Sequence, residues 1–159
     1  MRGQREVIDK LNAILADELT AISQYMVHAE VCENYGYQRL HDYTKARAIA
    51  EMKHAEAIVA RIIFLEYSPV VDHLNPLHIA VDVEQMLKND QAAELVAISG
   101  YNDALQLCIR LGDGGSHEIA QDNLEDEEDH LDWIQAQLAQ ISQMGIGIYL
   151  QQQIRPEAG

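Results

Sequence analysis

Apolar residues recur every three or four positions through most of the chain, and this spacing predicts four long α-helices. The stretches that carry the pattern cover about residues 5–34, 38–66, 83–111 and 116–144. Met26 lies in the apolar stripe of the first stretch, and Leu95 lies in that of the third. Ser116 is the expected N-cap of the fourth helix. After Gly145-Ile-Gly147, residues 148–154 are apolar enough to predict a short fifth helix.

The lengths of the connections predict how these helices are arranged. Three to five residues join the first helix to the second and the third to the fourth, so each pair should form an antiparallel hairpin. Residues 67–82, which include Pro69 and Pro76, separate the two hairpins. Sixteen extended residues reach about 53 Å, which exceeds the roughly 42 Å of a 28-residue helix. The prediction is an all-α four-helix bundle with one long crossover, forming a single domain over residues 1–159.

Composition agrees with an ordered globular chain. Of its 159 residues, 48% are hydrophobic and 23% are charged, as in ordinary folded domains. Cys32 and Cys108 form no Cys-x-x-Cys pair, so we expect reduced core residues rather than a disulfide or a zinc site. The sequence shows neither an apolar signal segment nor a run of membrane-spanning length. We therefore expect a cytoplasmic location.

The acidic surface restricts the possible partners. The formal net charge is −15, which repels nucleic acids and anionic membranes and attracts cations. Solubility alone would explain such a charge, so a role in cation binding needs independent support from particular residues.

The second half of the chain repeats the first. Residues 18–25 read Glu-Leu-Thr-Ala-Ile-Ser-Gln-Tyr, and residues 94–101 read Glu-Leu-Val-Ala-Ile-Ser-Gly-Tyr. Each half also contains one Glu-x-x-His, at 51–54 and at 127–130, and the sequence contains no other. The shift from position 18 to 94 equals the shift from 51 to 127, so positions related by this shift are equivalent in the two halves. A duplication preserved only for packing would explain the shared apolar residues, but not the shared acids and imidazoles.

The chemistry of the repeated residues predicts a buried two-metal centre. Glutamate and histidine three positions apart project from the same face of a helix, and Tyr25 lies on the same stripe as Glu18. Carboxylate and imidazole ligands without thiolates favour iron or manganese. Four carboxylates balance the charge of two divalent ions, and without metal they would repel one another or take up protons.

The whole chain resembles the bacterioferritins, the haem-containing bacterial branch of the ferritins. The resemblance runs from the first helix through Glu51-Met-Lys-His-Ala55 to Tyr149-Leu-Gln and Gln-Ile-Arg155. It implies a ferritin-like bundle with a di-iron ferroxidase centre that oxidises Fe(II) with O2 or H2O2. It also implies a hollow homo-oligomeric shell of 24 subunits that stores the iron as a mineral.

The resemblance implies roles for particular residues as well. Six side chains would bind the two irons: Glu18, Glu51, His54, Glu94, Glu127 and His130. Glu51 and Glu127 would bridge the two irons. Tyr25 would be a nearby redox-active or hydrogen-bonding residue, or else a core aromatic. Met52 is rotated about 100° from the ligand face of its helix. By position alone it indicates interface packing, whereas the resemblance implies an axial ligand of a haem b shared between two subunits.

Ala46 and Ala50 occupy positions where some relatives have ligands of an additional iron site, so that site is not predicted here. The sequence does not determine the route by which iron enters. Relatives release iron with the help of a small ferredoxin.

Two alternative functions remain, a haem-bridged electron-transfer shell with a structural di-iron site and a non-haem ferritin. The choice between a haem-containing and a non-haem ferritin depends on Met52. A rubrerythrin-like peroxidase would need four cysteines, an oxygenase usually has a longer chain, and a DNA-protecting mini-ferritin places its ligands differently.

Overall fold

Five helices form the structure, a computed structural model that describes residues 1–155. Their bounds are α1 Arg5–Tyr35, α2 Gln38–Phe64, α3 Val83–Leu111, α4 Gly114–Met144 and α5 Ile146–Gln153. The predicted all-α bundle with a short fifth helix is confirmed. The domain predicted over residues 1–159 includes four C-terminal residues, 156–159, that lie outside the described part of the chain.

Both hairpins turn at a glycine. α1 ends at Gly36 and α3 ends at Gly112, with φ angles of 79° and 71°. Glycine adopts this left-handed conformation without a steric cost, and it is the usual residue after a helix C-terminus. The two glycines are equivalent positions of the repeat, so the duplication extends to the turns.

The start of α4 differs from the prediction. Asp113 is the N-cap rather than Ser116, because the Asp113 carboxylate accepts a hydrogen bond from the backbone N–H of Ser116 at 3.0 Å. The glycines that precede Ser116 therefore belong to the first turn of the helix. At Gly115 the absence of a side chain leaves room for Arg61, because a Cβ there would lie 2.6 Å from its guanidinium and would displace it. Arg61 uses that space to reach Asp113 at 2.6 Å.

The crossover between α2 and α3 runs along α1 in extended conformation, as its length predicted. Three of its backbone N–H groups, from Val70, Asn75 and Ala80, donate hydrogen bonds of 2.8–3.1 Å to Asn12, Thr20 and His28. These acceptors are spaced eight residues apart and so cover about 24 Å of the helix. His28 also lies 2.9 Å from the buried carboxylate of Asp90 on α3. Hydrogen bonds therefore connect the crossover directly to α1 and, through His28, to α3.

Two apolar clusters fill the bundle on either side of a central polar layer. The first contains Ile14, Leu15 and Ile58, and the second contains Ile134 and Tyr149. α5 closes the second cluster, since the buried Tyr149 donates a hydrogen bond to Gln137 at 2.8 Å. No helix within residues 1–155 is both long and apolar enough to cross a bilayer.

On α1 and α3 the buried face is narrower than the apolar stripe that the sequence predicted. Met26 on α1 is 56% exposed and Leu95 on α3 is 51% exposed, so neither belongs to the core of the chain. α1 packs closely against α2 and α3, and α3 packs closely against α4, whereas α2 and α4 approach each other at few points. Long polar side chains bridge this wider gap, and the candidate site lies among them.

Candidate metal centre

Six buried side chains form two overlapping groups of possible metal ligands in the polar layer. One group is Glu18, Glu51, His54 and Glu127, and the other is Glu51, Glu94, Glu127 and His130. Within each group, one ligand atom from every residue lies within 4.8 Å of the others. The structure thus brings together all six residues that the sequence repeat singled out. Because Glu51 and Glu127 belong to both groups, the arrangement fits two ions joined by two shared carboxylates.

Three of these buried carboxylates have one oxygen each without a hydrogen-bond partner within the described residues. Each of the four glutamates is 1% exposed, and His54 and His130 are 7% and 4% exposed. One oxygen in each of Glu18, Glu94 and Glu127 has no hydrogen-bond partner within the described residues. A buried polar atom without a partner is costly and calls for an explanation. Two metal ions, one in each ligand group, would satisfy all three oxygens.

Burial and the neighbouring charges favour the protonated form of part of this centre in the absence of metal. Burial, and then the charge of Glu51, raises the pKa of Glu18 well above its ordinary value. Burial also raises the pKa of Glu127, with further contributions from the neighbouring carboxyls. Burial opposes ionisation of Glu51 too, but hydrogen bonds with His54, Glu18 and Glu127 lower its pKa in the end. Metal binding must therefore displace protons from this layer.

His54 connects the centre to a carboxylate outside it. Its Nδ1 lies 3.0 Å from Glu51 and 2.9 Å from Glu127, while its Nε2 lies 2.8 Å from Asp126. Burial disfavours the charged imidazole, but hydrogen bonds and charge attraction from Glu18 and Glu51 outweigh burial and raise the pKa of His54 to about 10. Metal-binding histidines commonly give their second nitrogen to a carboxylate, which fixes the ring. Asp126 occupies that place.

Arg47 completes the His54 side of the centre, and neither it nor Asp126 was predicted from the sequence. Arg47 is 8% exposed, and its guanidinium donates to Glu51 at 2.9 Å and to Asp126 at 3.3 Å. The same guanidinium lies 3.7 Å from Glu127. Burial opposes its charge, but attraction by Glu51 and Asp126 is stronger and raises the pKa of Arg47. A single arginine in a periodic helix gives no sign in the sequence that it is buried.

Aromatic rings surround His130. Its Nδ1 lies 2.8 Å from Glu94. The ring of Tyr25 packs edge-on against the imidazole with centroids 5.5 Å apart, and Tyr43 lies tilted at 5.8 Å. Tyr43 is itself stacked on Trp133 at 3.5 Å. The His130 side of the centre is therefore enclosed by rings, unlike the charged His54 side.

Two tyrosines related by the repeat each bind a glutamate of the other half. Tyr25 donates a hydrogen bond to Glu94, and Tyr101 donates one of 2.5 Å to Glu18. Both rings are 1% exposed, and burial raises the pKa of both hydroxyls, so they remain protonated donors. Tyr101 was not predicted as a site residue, although its place in the repeat matches that of Tyr25.

Comparison with known proteins identifies the family. The ferritin-like domain family matches residues 8–144. The bacterioferritin of Rhodobacter capsulatus is 39% identical over 145 residues, which cover 91% of this chain and 90% of the relative. The chain belongs to the bacterioferritins. The bacterioferritin of Brucella melitensis is 35% identical over 145 residues, covering 91% of this chain and 90% of its own. The bacterial ferritin of Pseudomonas aeruginosa is 36% identical over 155 residues, covering 97% and 100%.

Membership confirms the resemblance found in the sequence. Bacterioferritins belong to a family of iron-storage proteins that form oligomeric shells, and this chain shares nearly its whole length with them. Iron storage by an oligomeric protein is thus the general function of the chain.

Met52 lies outside the metal centre of this bacterioferritin chain, on the open face of α2. It is 45% exposed, and Ile49, one turn earlier on the same face, is 44% exposed. The thioether is therefore accessible to a second molecule. Ala46 and Ala50 lie on the same helix and carry no side-chain ligand atom.

Proposed function

We propose that the chain stores iron in a 24-subunit shell and that its two-metal centre is a ferroxidase. The observation that carries this proposal is the pair of buried ligand groups that share Glu51 and Glu127. Shared carboxylates would hold two ferrous ions close enough to deliver two electrons to one oxidant. Those electrons reduce O2 to H2O2, or H2O2 to water, with the uptake of two protons, and both irons become ferric.

The residues of the chain have separate tasks in this scheme. The four glutamates neutralise the charge of the two ferrous ions, and His54 and His130 bind as neutral imidazoles. Protons held by Glu18, Glu127 and His54 leave as the ions bind. The hydroxyl of Tyr25 orients Glu94, which makes Tyr25 the proposed hydrogen-bonding residue of the catalytic set.

The charge of the chain supports the storage role. A shell built from subunits of net charge −15 would attract Fe(II) strongly. In this proposal the shell lies in the cytoplasm and holds the ferric product as a mineral. A partner such as a small ferredoxin would reduce the mineral and so release the iron.

A haem b bound between two subunits is the second cofactor in this proposal. Met52 is exposed, lies beside the apolar Ile49 and supplies one thioether per chain. Two axial thioethers would therefore require two copies of the chain. Thioether ligation favours ferrous haem and raises its reduction potential, so the haem would supply electron transfer to the stored iron.

Stopped-flow absorbance after aerobic addition of Fe(II) to iron-free protein tests the ferroxidase assignment. We expect a fast ferric phase that saturates near two irons per chain, followed by slower mineral growth. Glu94→Ala and His130→Ala should remove the fast phase and leave shell assembly intact. Glu84→Ala is the matched control, because Glu84 lies on α3 with an exposed side chain that pairs with Lys88.

Two results would contradict the assignment. Parental oxidation rates in both Glu94→Ala and His130→Ala would place the reaction elsewhere. Retention of two irons per chain without turnover in the parent would instead indicate a structural di-iron site in an electron-transfer shell.

A further inference from the structure

Arg47 touches both carboxylates that the two ligand groups share. Its guanidinium lies 2.9 Å from Glu51 and 3.7 Å from Glu127, and it also contacts Asp126. Its charge is permanent under ordinary conditions. A buried cation among intended metal ligands competes with the metal for the same oxygens, so its presence needs a functional explanation.

The internal repeat shows that this cation is a departure from symmetry. The equivalent of Arg47 in the second half is Asn123, which donates a hydrogen bond to Tyr101 at 3.1 Å. The equivalent of Asp126 in the first half is Ala50. The Arg47–Asp126 pair therefore exists on one side of the centre only. Ligand binding alone does not require it, because the ligands themselves are duplicated.

The pair also connects the buried centre to solvent. The side chain of Asp126 is 42% exposed and that of Arg47 is 10% exposed, whereas those of Glu51 and Glu127 are 1% exposed. An ion that entered or left on this side would pass the guanidinium.

We propose that the positive charge of Arg47, which lies beside the two shared carboxylates, limits how tightly the centre retains metal. The inference rests on the proposed ferroxidase function. Four carboxylates balance two ferrous ions, but two ferric ions leave an excess of positive charge. Arg47 adds to that excess beside the shared oxygens, which favours departure of the ferric product towards the mineral. The centre then serves as a transit site for iron.

The expected effect is large enough to measure. By Coulomb's law, a unit charge about 5 Å from a divalent ion changes its affinity roughly tenfold at the dielectric constant of bulk water, and by more in a protein interior. Arg47→Gln and Arg47→Met remove the charge, while Arg47→Lys keeps it. The two neutral variants should therefore bind metal more tightly than the parent, and the lysine variant should stay within about threefold of it.

Arg61 provides a matched control on the same helix. Its side chain is 13% exposed, and it bridges α2 to α4 through Asp113 and Ser116, much as Arg47 bridges them through Asp126. It lies fourteen residues from Arg47, or about 21 Å along the helix. Arg61→Gln should lower stability and leave metal affinity unchanged.

The experiment is an anaerobic titration of metal-free protein with Co(II), followed by its d–d absorption, and then a chelator chase that gives the dissociation rate. We expect Arg47→Gln and Arg47→Met to bind two Co(II) per chain at least about tenfold more tightly and to release them correspondingly more slowly. The shape of the spectrum should be unchanged, because the ligands are the same. Either neutral variant suffices if the other does not assemble.

The outcomes separate this inference from the proposed function. If the parent does not bind two Co(II) per chain, the two-metal centre itself is wrong. If the parent binds two and the neutral variants show parental or weaker affinity, only the role of Arg47 is overturned. An equal gain in affinity in Arg61→Gln would also overturn it, because the effect would then not depend on contact with the shared carboxylates.

Discussion

His54 and His130 hold the same place in the internal repeat but have different surroundings. Asp126 lies 2.8 Å from the Nε2 of His54, and Arg47 lies beside the same carboxylates. The ring of His130 packs against Tyr25 and a second tyrosine, Tyr43. The comparison shows that the duplication fixes the ligands, whereas residues about one turn away make the two metal positions unequal.

This difference has a physical consequence for the two positions. The His54 position lies next to charged groups that extend to solvent, because the side chain of Asp126 is 42% exposed. The His130 position lies among aromatic rings, which stabilise an ion that enters or leaves less well than the charged groups near His54 do. Variants that change one half of the repeat at a time can therefore test whether the two metal positions differ.

The largest expected effect separates shared from unshared ligands. Glu127→Ala removes a carboxylate from both groups, so we expect no Co(II) bound per chain and loss of rapid iron oxidation by at least about a hundredfold. Glu18→Ala removes a ligand from the His54 group only, so one Co(II) should remain, bound by the His130 group. Titration with Co(II) measures both. Equal loss in the two variants would show that the groups are not two metal positions.

A second pair of variants compares the apolar clusters on either side of the centre. Ile58 and Ile134 are equivalent positions of the repeat, each follows its histidine by one turn, and they are 0% and 1% exposed. Substitution by alanine should cost about 2–5 kcal/mol at each position. Guanidinium unfolding of metal-free protein measures this cost. Ile63→Ala, at a position 58% exposed, is the control and should change stability by less than about 0.5 kcal/mol.

Unequal costs would show which cluster governs stability. If one of the two core variants matched the Ile63→Ala control, the bundle would not depend equally on both clusters, and the symmetry of packing would be wrong.

A smaller effect is expected from the two tyrosines. Tyr25→Phe and Tyr101→Phe each remove one hydrogen bond to a buried carboxylate, so each should destabilise the metal-free protein by about 1–3 kcal/mol. Because the bonds are symmetric, the two variants should oxidise iron at rates within about threefold of each other. Stopped-flow absorbance tests this expectation. A rate more than tenfold lower in Tyr25→Phe alone would show that Tyr25 has a redox role beyond its hydrogen bond.

The smallest change is expected at the two cysteines, which are also equivalent in the repeat. Cys32 and Cys108 are 3% and 2% exposed. Burial, and then the charge of Asp90, raises the pKa of Cys32 to about 12, and burial raises the pKa of Cys108 as well. The thiolate is the reactive form and is scarce below the pKa. Native protein at pH 8 should therefore not react with a thiol reagent, and two thiols per chain should react after unfolding.

Reaction should begin at higher pH at Cys32 than at an exposed thiol, because its pKa is raised. Rapid reaction of one thiol per chain at pH 8 would contradict this account, and Cys108→Ser would identify which cysteine reacted.

Much of the fold and most of the site could be predicted from the sequence. Helical periodicity predicted the four long helices, because it depends only on the spacing of residues along each helix. The constant shift between the two halves identified Glu18, Glu94 and both Glu-x-x-His pairs as candidate ligands. The N-cap of α4 was assigned wrongly, because Asp113 and Ser116 are both good capping residues. In the structure Asp113 also pairs with Arg61 of α2, which is a contact between helices that the pattern of a single helix does not contain.

The residues that were missed share a physical cause. Arg47 and Asp126 acquire their role only because α2 and α4 stand far enough apart for long side chains to meet between them. That distance is not encoded in the pattern of either helix. A repeat also reveals what two halves share, and Arg47 is a position at which they differ. Tyr101 was available from the repeat, since it matches Tyr25.

The two-metal centre can be tested most directly by locating metal in crystals of the protein soaked anaerobically with Fe(II). An anomalous difference map measured at the iron absorption edge should show two peaks per chain, joined by Glu51 and Glu127. One peak should lie on His54 and the other on His130. A single peak, or peaks away from these six ligands, would contradict the two-metal centre on which the proposed function depends.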